Sequence, residues 1–466
     1  MIGPLLRHLF AALSLALALT VVPAAEAATP QSGARAAAAK TTAKKAPVKK
    51  SAAKKAAAKK PAARSASANR PAAAIRRAAL QTVAEGQIPA NAGLSAAADM
   101  NLWLDSIEAS GQVAGLAAAV VQGDQVLLQR GIGYADAAAG TPVTPDTVFR
   151  LASLSKSFAA TLAGLLVDDG YISWDTRVGG VLPTFALKDA SAAEKLSVRD
   201  ILSHRVGLPH NSYDHLLEQD EPYPLLIDRL REIDPICGVG DCYSYQNVAF
   251  SLLGDVTYAV TGDFFYHQVE KRVFHPLGMA TATYGRDALE SSREWARPHS
   301  RSGRRWVPFQ PRENYYHVAP AAGVNASIKD MSQYLIAHMG GRPDVLPEDL
   351  LSTLHRPLVA TPTEMSSAPW RRGRLRDAQY ALGWRVFDYA GETMVFHAGA
   401  VQGYRGVIAF LPQRRFGLVM LWNCETAIPT GLLPMAFDRY LGLPEVDWAG
   451  VELLDRSRMA AGGASR

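Results

Sequence analysis

The chain has 466 residues, of which 48% are hydrophobic, and a net charge of +6. It is globular in class and able to bury a large core, and no metal or nucleotide motif stands out, so no cofactor is expected. The positive balance is local: residues 31–80 hold 14 Lys plus Arg and no Asp or Glu, which leaves −8 for residues 81–466 and excludes a uniformly basic domain.

At the start of the chain, Arg7 and His8 precede an apolar run from Leu9 to Val22, followed by Pro23 and the small-x-small triplet Ala25-Glu26-Ala27. The run is short for a membrane span, so residues 1–27 read as a secretory signal cut after Ala27, with an uncleaved anchor as the rival. The mature chain is then exported, periplasmic or secreted, with no transmembrane span. All three cysteines lie beyond residue 236, so no lipid-modified cysteine follows the signal. Residues 28–90 form a Lys/Ala-rich basic tail, broken by Pro47, Pro61 and Pro71, and lack the large apolar residues a core needs. This composition predicts disorder. Its Lys-Lys pairs resemble DNA-condensing tails. Behind an export signal, anionic cell-envelope polymers are the better partners and nucleic acid is not expected; a solvated spacer is the equal alternative.

The folded domain is expected over residues 91–450, with a short C-terminal tail at 451–466 that frays from Met459. Leu94 to Ser110 carries Leu102, Trp103, Leu104 and Ile107 and stops at Gly111, a helix. Ala117–Val121 and Val126–Gln129 flank Gln122-Gly123-Asp124-Gln125, a hairpin. Thr147–Phe149 leads into Ser153-Leu154-Ser155-Lys156, after which Phe158, Leu162, Leu165 and Leu166 recur at helical spacing. Ser153 and Lys156 therefore share a helix face. If Ser153 opens the helix, its hydroxyl lies near free N–H groups, and a partly desolvated amine one turn away can take its proton. Ser-x-x-Lys arises by chance about once or twice in a chain of this length. Its second copy, Ser51 to Lys54, falls in the basic tail and cannot build a pocket.

Residues 171–318 read as mainly helical. Ser203-His204 followed by Gly207-Leu208-Pro209 reads as a packed histidine fixing a turn rather than a nucleophile–base pair. Cys237 and Cys242 bracket a glycine-rich loop, which in an exported chain predicts a local disulfide that braces Tyr245-Gln246-Asn247. No His or Cys cluster completes a metal site there, and Cys424 is left as a free buried thiol. Residues 291–318 and Trp370 to Arg376 are rich in Arg and aromatics. They are either cleft rims for an anionic substrate or solvated faces. Asp330 to His338 reads as a helix. Tyr380–Phe387, Thr393–Phe396, Tyr404–Leu411 and Phe416–Trp422 read as an antiparallel sheet, and Leu432–Leu441 as a C-terminal helix. His397-Ala398-Gly399-Ala400 lies between two of those strands. Its glycine allows close approach of a substrate, and the N–H of Ala400 can join that of Ser153 in an oxyanion hole.

Ser153/Lys156, Tyr245/Asn247 and His397/Gly399 thus occur in order. With Phe149-Arg150, the Ser203 to Pro209 turn, Ala322 to Ser327 with Asp330-Met331, and Leu382-Gly383-Trp384, the ensemble resembles the class C β-lactamase superfamily, which includes D-Ala-D-Ala peptidases and esterases. The resemblance spans roughly residues 91–448. It implies an α+β fold: an antiparallel sheet with flanking helices (about 91–150 and 320–450) and an all-helical part (about 151–319), with the site between them. It implies Ser153 as acylated nucleophile, Lys156 and Tyr245 sharing base and acid roles, and Asn247 orienting the substrate amide. His397, Gly399 and Ala400 would also bind the substrate, a small peptide, amide or ester. Many relatives carry Lys-Thr-Gly where this chain has His397-Ala398-Gly399. A histidine there is mostly neutral at pH 7, which counts against an efficient β-lactamase; Arg405 is a sequence-near substitute for the missing cation.

Overall fold

The computed structural model describes residues 88–452 and Leu454. The expected signal, all but the last three residues of the basic tail, and Met459 to Arg466 lie outside the described residues. Helix α1 (Ala92–Ser110) ends on Gly111 at φ +63°. Strands β1 (Gly115–Gln122) and β2 (Gln125–Asp136) form the expected hairpin, and β3 (Thr141–Pro142) pairs with the far end of β2. Strand β4 (Val148–Arg150) runs into a 3-10 turn, Ala152–Leu154, and then helix α2 (Ser155–Asp168). Short helices follow, among them α3 (Val198–Leu202) and α4 (Leu252–Thr261). Strand β5 (Thr283–Tyr284), the hairpin β6 (His299–Ser302) and β7 (Arg305–Pro308), strand β8 (Val324–Ser327) and helix α5 (Ile328–Ile336) return the chain to the sheet. It is completed by β9 (Val359–Ala360), β10 (Leu375–Tyr380), β11 (Arg385–Tyr389), β12 (Glu392–Val401), β13 (Tyr404–Leu411) and β14 (Phe416–Trp422), with α6 (Leu432–Leu441) after them.

Nine strands join in the order β3-β2-β1-β14-β13-β12-β11-β10-β9, with antiparallel pairing throughout. Both faces are covered, as the continuous apolar runs require. Alternate residues of β1 divide between two cores. Ala117, Ala119 and Val121 pack toward α2 and α5; Leu116, Ala118 and Val120 pack toward α1 and α6. A second, three-stranded sheet, β4-β8-β5, supports the serine turn from behind.

Two strand assignments differ from the sequence reading. Tyr380–Phe387 is not one strand: the chain turns at Ala381 to Trp384 between β10 and β11. Gly383 sits in that turn at φ +70°, and a Cβ there would lie 2.5 Å from the Lys156 carbonyl oxygen, so the position requires glycine. His397 to Ala400 lies inside β12 rather than between strands, extended by its pairing with β13. The basic clusters also resolve differently. Arg374 is a core residue, bonded to both carboxylate oxygens of Asp438 at 2.7 and 2.8 Å, and Arg371 is buried against Glu364. Asp438 lies 64 positions from Arg374, so no local pattern marks that arginine as a core residue. Cys424 is buried, and Cys237 and Cys242 form the expected disulfide.

Candidate functional site

Ser153 does not open the long helix; it sits in the 3-10 turn just before it. The turn is made by Ala152, a buried non-glycine residue at φ +50°. That conformation costs about 1–2 kcal/mol in an L-residue, so it persists only because neighbours fix it. Ser155 does so: its hydroxyl donates to the Ala152 carbonyl at 2.6 Å and accepts from the Val324 N–H at 3.0 Å. Ser157 donates to the Leu154 carbonyl at 2.8 Å. On the other side Gly399 packs on the same turn, where a Cβ would come within 2.2 Å of the Leu151 oxygen.

Lys156, on the first turn of α2, is fully buried. Its Nζ donates to Asn247 Oδ1 at 2.7 Å and to the Ala321 carbonyl at 3.1 Å, and lies 3.4 Å from Ser153 Oγ. Burial lowers its pKa to about 7; Asp214 opposes the shift and Arg385 adds to it. A neutral amine has two N–H groups and one lone pair. With both N–H groups spent on Asn247 and Ala321, the lone pair is left for Ser153. Tyr245 approaches from the disulfide-braced loop. Its hydroxyl is within electrostatic reach of Ser153, its ring lies 4.7 Å from Lys156 Nζ, and burial raises its pKa, which keeps the phenol protonated at neutral pH.

Asn247 is engaged at both ends, since its Nδ2 also donates to Asp214 Oδ2 at 2.7 Å. That geometry suits holding Lys156 better than the expected contact with a substrate amide. His397 is buried, and burial pushes its pKa well below the ordinary value, so it is neutral. The carbonyl of Ala398, 2.9 Å from Nδ1, places the ring proton there and leaves Nε2 to accept from Tyr380, at 3.1 Å. Tyr380 in turn accepts from His204 Nε2 at 3.2 Å, and His204 Nδ1 accepts the Gln246 N–H at 3.1 Å. One directed chain of hydrogen bonds thus ties the Tyr245 loop to β12. Arg405 is not the substitute cation: it donates to the Val401 and Tyr404 carbonyls at 2.5 and 2.8 Å and lies 3.8 Å from Glu425. A guanidinium also lies near the site: Arg385, on β11, is 14% exposed and paired with Glu364 at 2.7 Å.

The two-residue turn at Gln402-Gly403 makes Val401 and Tyr404 the closing pair of the β12–β13 hairpin. Alternation along the ladder then turns the Ala400 N–H away from β13, toward the edge of β12 that meets the serine turn. The structure therefore brings together Ser153, Lys156, Tyr245, Asn247, His397, Gly399 and Ala400. Sequence reasoning missed Asp214, Tyr380 and Arg385. Arg385 adjoins the Leu-Gly-Trp match and Tyr380 ends a strand, but Asp214 carries no local signal.

A family model described as Beta-lactamase matches residues 103–433. Penicillin-binding protein 4 of Amycolatopsis lactamdurans is 32% identical over 357 residues, covering 75% of this chain and 89% of that one. An unguisins hydrolase of Aspergillus campestris is 29% identical over 67% of this chain; the chain spans 58% of that relative's length. The structure of a penicillin-binding protein homologue from Pyrococcus abyssi superposes with a TM-score of 0.65 at 21% identity, covering 78% of this chain and 80% of that one. Motif order, fold and these matches agree, and the chain belongs to the beta-lactamase family of serine hydrolases.

Proposed function

We propose that the chain is an exported hydrolase that forms an acyl-enzyme on Ser153 from an amide, peptide or ester. The observation that carries this reading is the buried Lys156, whose Nζ is held by Asn247 Oδ1 and the Ala321 carbonyl and lies 3.4 Å from Ser153 Oγ. Lys156 takes the Ser153 proton as Oγ attacks the carbonyl. The N–H groups of Ser153 and Ala400 hold the oxyanion. Tyr245 gives its proton to the leaving nitrogen or oxygen, and the Lys156 ammonium reprotonates the phenolate, so the proton count closes. Water then releases the acyl group by the reverse sequence. Asn247 holds Lys156 in place; His397 and Gly399 set the strand edge against the serine turn.

A cell-wall peptide ending in a D-amino acid is the favoured substrate. An export signal, a basic tail suited to envelope polymers and the penicillin-binding protein among the relatives support that choice. Neutral His397 gives no permanent cation at the position where many relatives have lysine, which disfavours efficient β-lactam hydrolysis. Intact mass after exposure to a fluorophosphonate tests the nucleophile. A single adduct, absent in Ser153→Ala, is expected; no adduct on folded protein would instead point to a non-catalytic cell-wall binding or sensing module.

A further inference from the structure

Helix α4 carries Asp255 on the wall of a pocket of about 430 Å³ that is also lined by five rings, those of Tyr223, Tyr258, Phe264, Phe265 and Tyr266. Tyr258 and Phe264 are 51% and 53% exposed, with ring centroids 5.3 Å apart, and Tyr266 stacks on Phe264 at 5.6 Å. Single exposed rings are ordinary, but a contiguous set around a concavity marks a binding surface. Asp255 is half-buried, and its Oδ2 accepts from the Tyr223 hydroxyl at 2.6 Å. Its Oδ1 accepts from no other residue among the described ones and is not sealed from solvent. No Lys or Arg lines the pocket, and the one nearest in sequence, Lys271, is spent on Asp263 at 2.6 Å. Burial raises the Asp255 pKa, opposed by the Tyr223 hydroxyl and the residue's own N–H and by no cation.

A partly buried carboxylate without a counter-ion is costly, and aromatic rings attract cations through their quadrupoles. Together they favour a positive ligand over a neutral apolar one. The same lining selects the kind of cation. A primary ammonium needs an acceptor for each of its three N–H groups, whereas a quaternary ammonium has none to satisfy and is held by diffuse attraction alone. A wall of rings with one free carboxylate oxygen matches the second. We infer that this pocket binds a quaternary ammonium group, seated against the rings with Asp255 as its counter-ion. Its volume lies in the range of small-molecule sites and leaves room for the rest of the molecule that carries the group. None of Ser153, Lys156, Tyr245 and Asn247 lines it, so the inference does not rest on the acyl-enzyme reading.

Calorimetric titration of the full chain with choline and with its uncharged carbon analogue, 3,3-dimethylbutanol, tests the site. Choline is expected to bind at least about tenfold tighter than the alcohol, and Asp255→Asn to bring the two within about twofold. The double variant Tyr258→Ala/Phe264→Ala trims exposed rings and keeps the fold even if Asp255→Asn does not. It should weaken choline at least about tenfold. Ser153→Ala should bind choline as the natural chain does. Equal affinity for choline and the alcohol, no binding of either, choline binding unchanged in the double variant, or choline binding lost in Ser153→Ala overturns the inference. Cosedimentation with phosphatidylcholine vesicles then identifies the source of the group. Binding that the double variant loses assigns it to a lipid headgroup, and no cosedimentation assigns it to a free cation.

Discussion

Lys156 and Arg374 are both withdrawn from solvent, on opposite sides of the nine-stranded sheet. Arg374 meets a carboxylate edge to edge, and its partner Asp438 also accepts from Tyr389 at 2.6 Å and from Trp448 at 2.9 Å. Lys156 meets a carboxamide oxygen and a backbone carbonyl, and the acid that acts on it, Asp214, is bonded to Asn247 rather than to Lys156. A direct counter-ion fixes charge in place. Neutral acceptors orient an amine while leaving burial to weaken its hold on the proton. The first arrangement holds two segments together; the second makes a base.

The sharpest way to break this contrast is to remove each cation. Lys156→Met should lower the rate of Ser153 acylation about 10³–10⁴-fold while the melting temperature holds or rises, since a costly buried amine is replaced by an apolar side chain. Arg374→Met should do the opposite. It leaves Asp438 buried without its ion pair, and a loss of about 3–5 kcal/mol is expected in urea unfolding, with acylation per folded molecule little changed. If Arg374→Met proved catalytically dead yet stable, the division between holding and reacting charge would be wrong.

This division was half legible in the sequence. Ser153 and Lys156 stand three residues apart, so helical spacing alone pairs them. Strands β13 and β14 and helix α6 coincide with their apolar runs, because each is bounded by glycine, proline or a short turn. The Arg374–Asp438 pair spans 64 positions, and the Asn247–Asp214 bond that anchors the lysine cage spans 33. Contacts of that kind are set by how sheet and helices stack, and no local pattern announces them.

A smaller effect comes from pH. The group that must lose a proton is Lys156, with its pKa lowered to about 7 by burial, while Tyr245 stays protonated because burial raises its pKa. Acylation should therefore rise about tenfold per pH unit below 7 and level off above it. Stopped-flow acylation across pH 5–9 reads this directly. A rise that continues toward 10 would mean that Lys156 keeps its ordinary basicity and that another group takes the first proton.

The smallest expected effect on rate concerns Tyr380, and it tests whether the contrast between holding and reacting groups extends to neutral ones. Its hydroxyl accepts from His204 and donates to His397, joining the Tyr245 loop to β12 without touching Ser153. Tyr380→Phe leaves one donor and one acceptor buried and unpaired, at a cost of about 1–3 kcal/mol each. Burial keeps both histidines neutral, so they cannot gain a proton to compensate. Thermal unfolding should show the loss clearly, whereas acylation should fall by less than about tenfold, through looser placement of Tyr245 and Ala400. A loss as large as that of Lys156→Met, with the pH limb displaced as well, would mean that protons move along this chain during the reaction. The histidines would then belong with Lys156 rather than with Arg374.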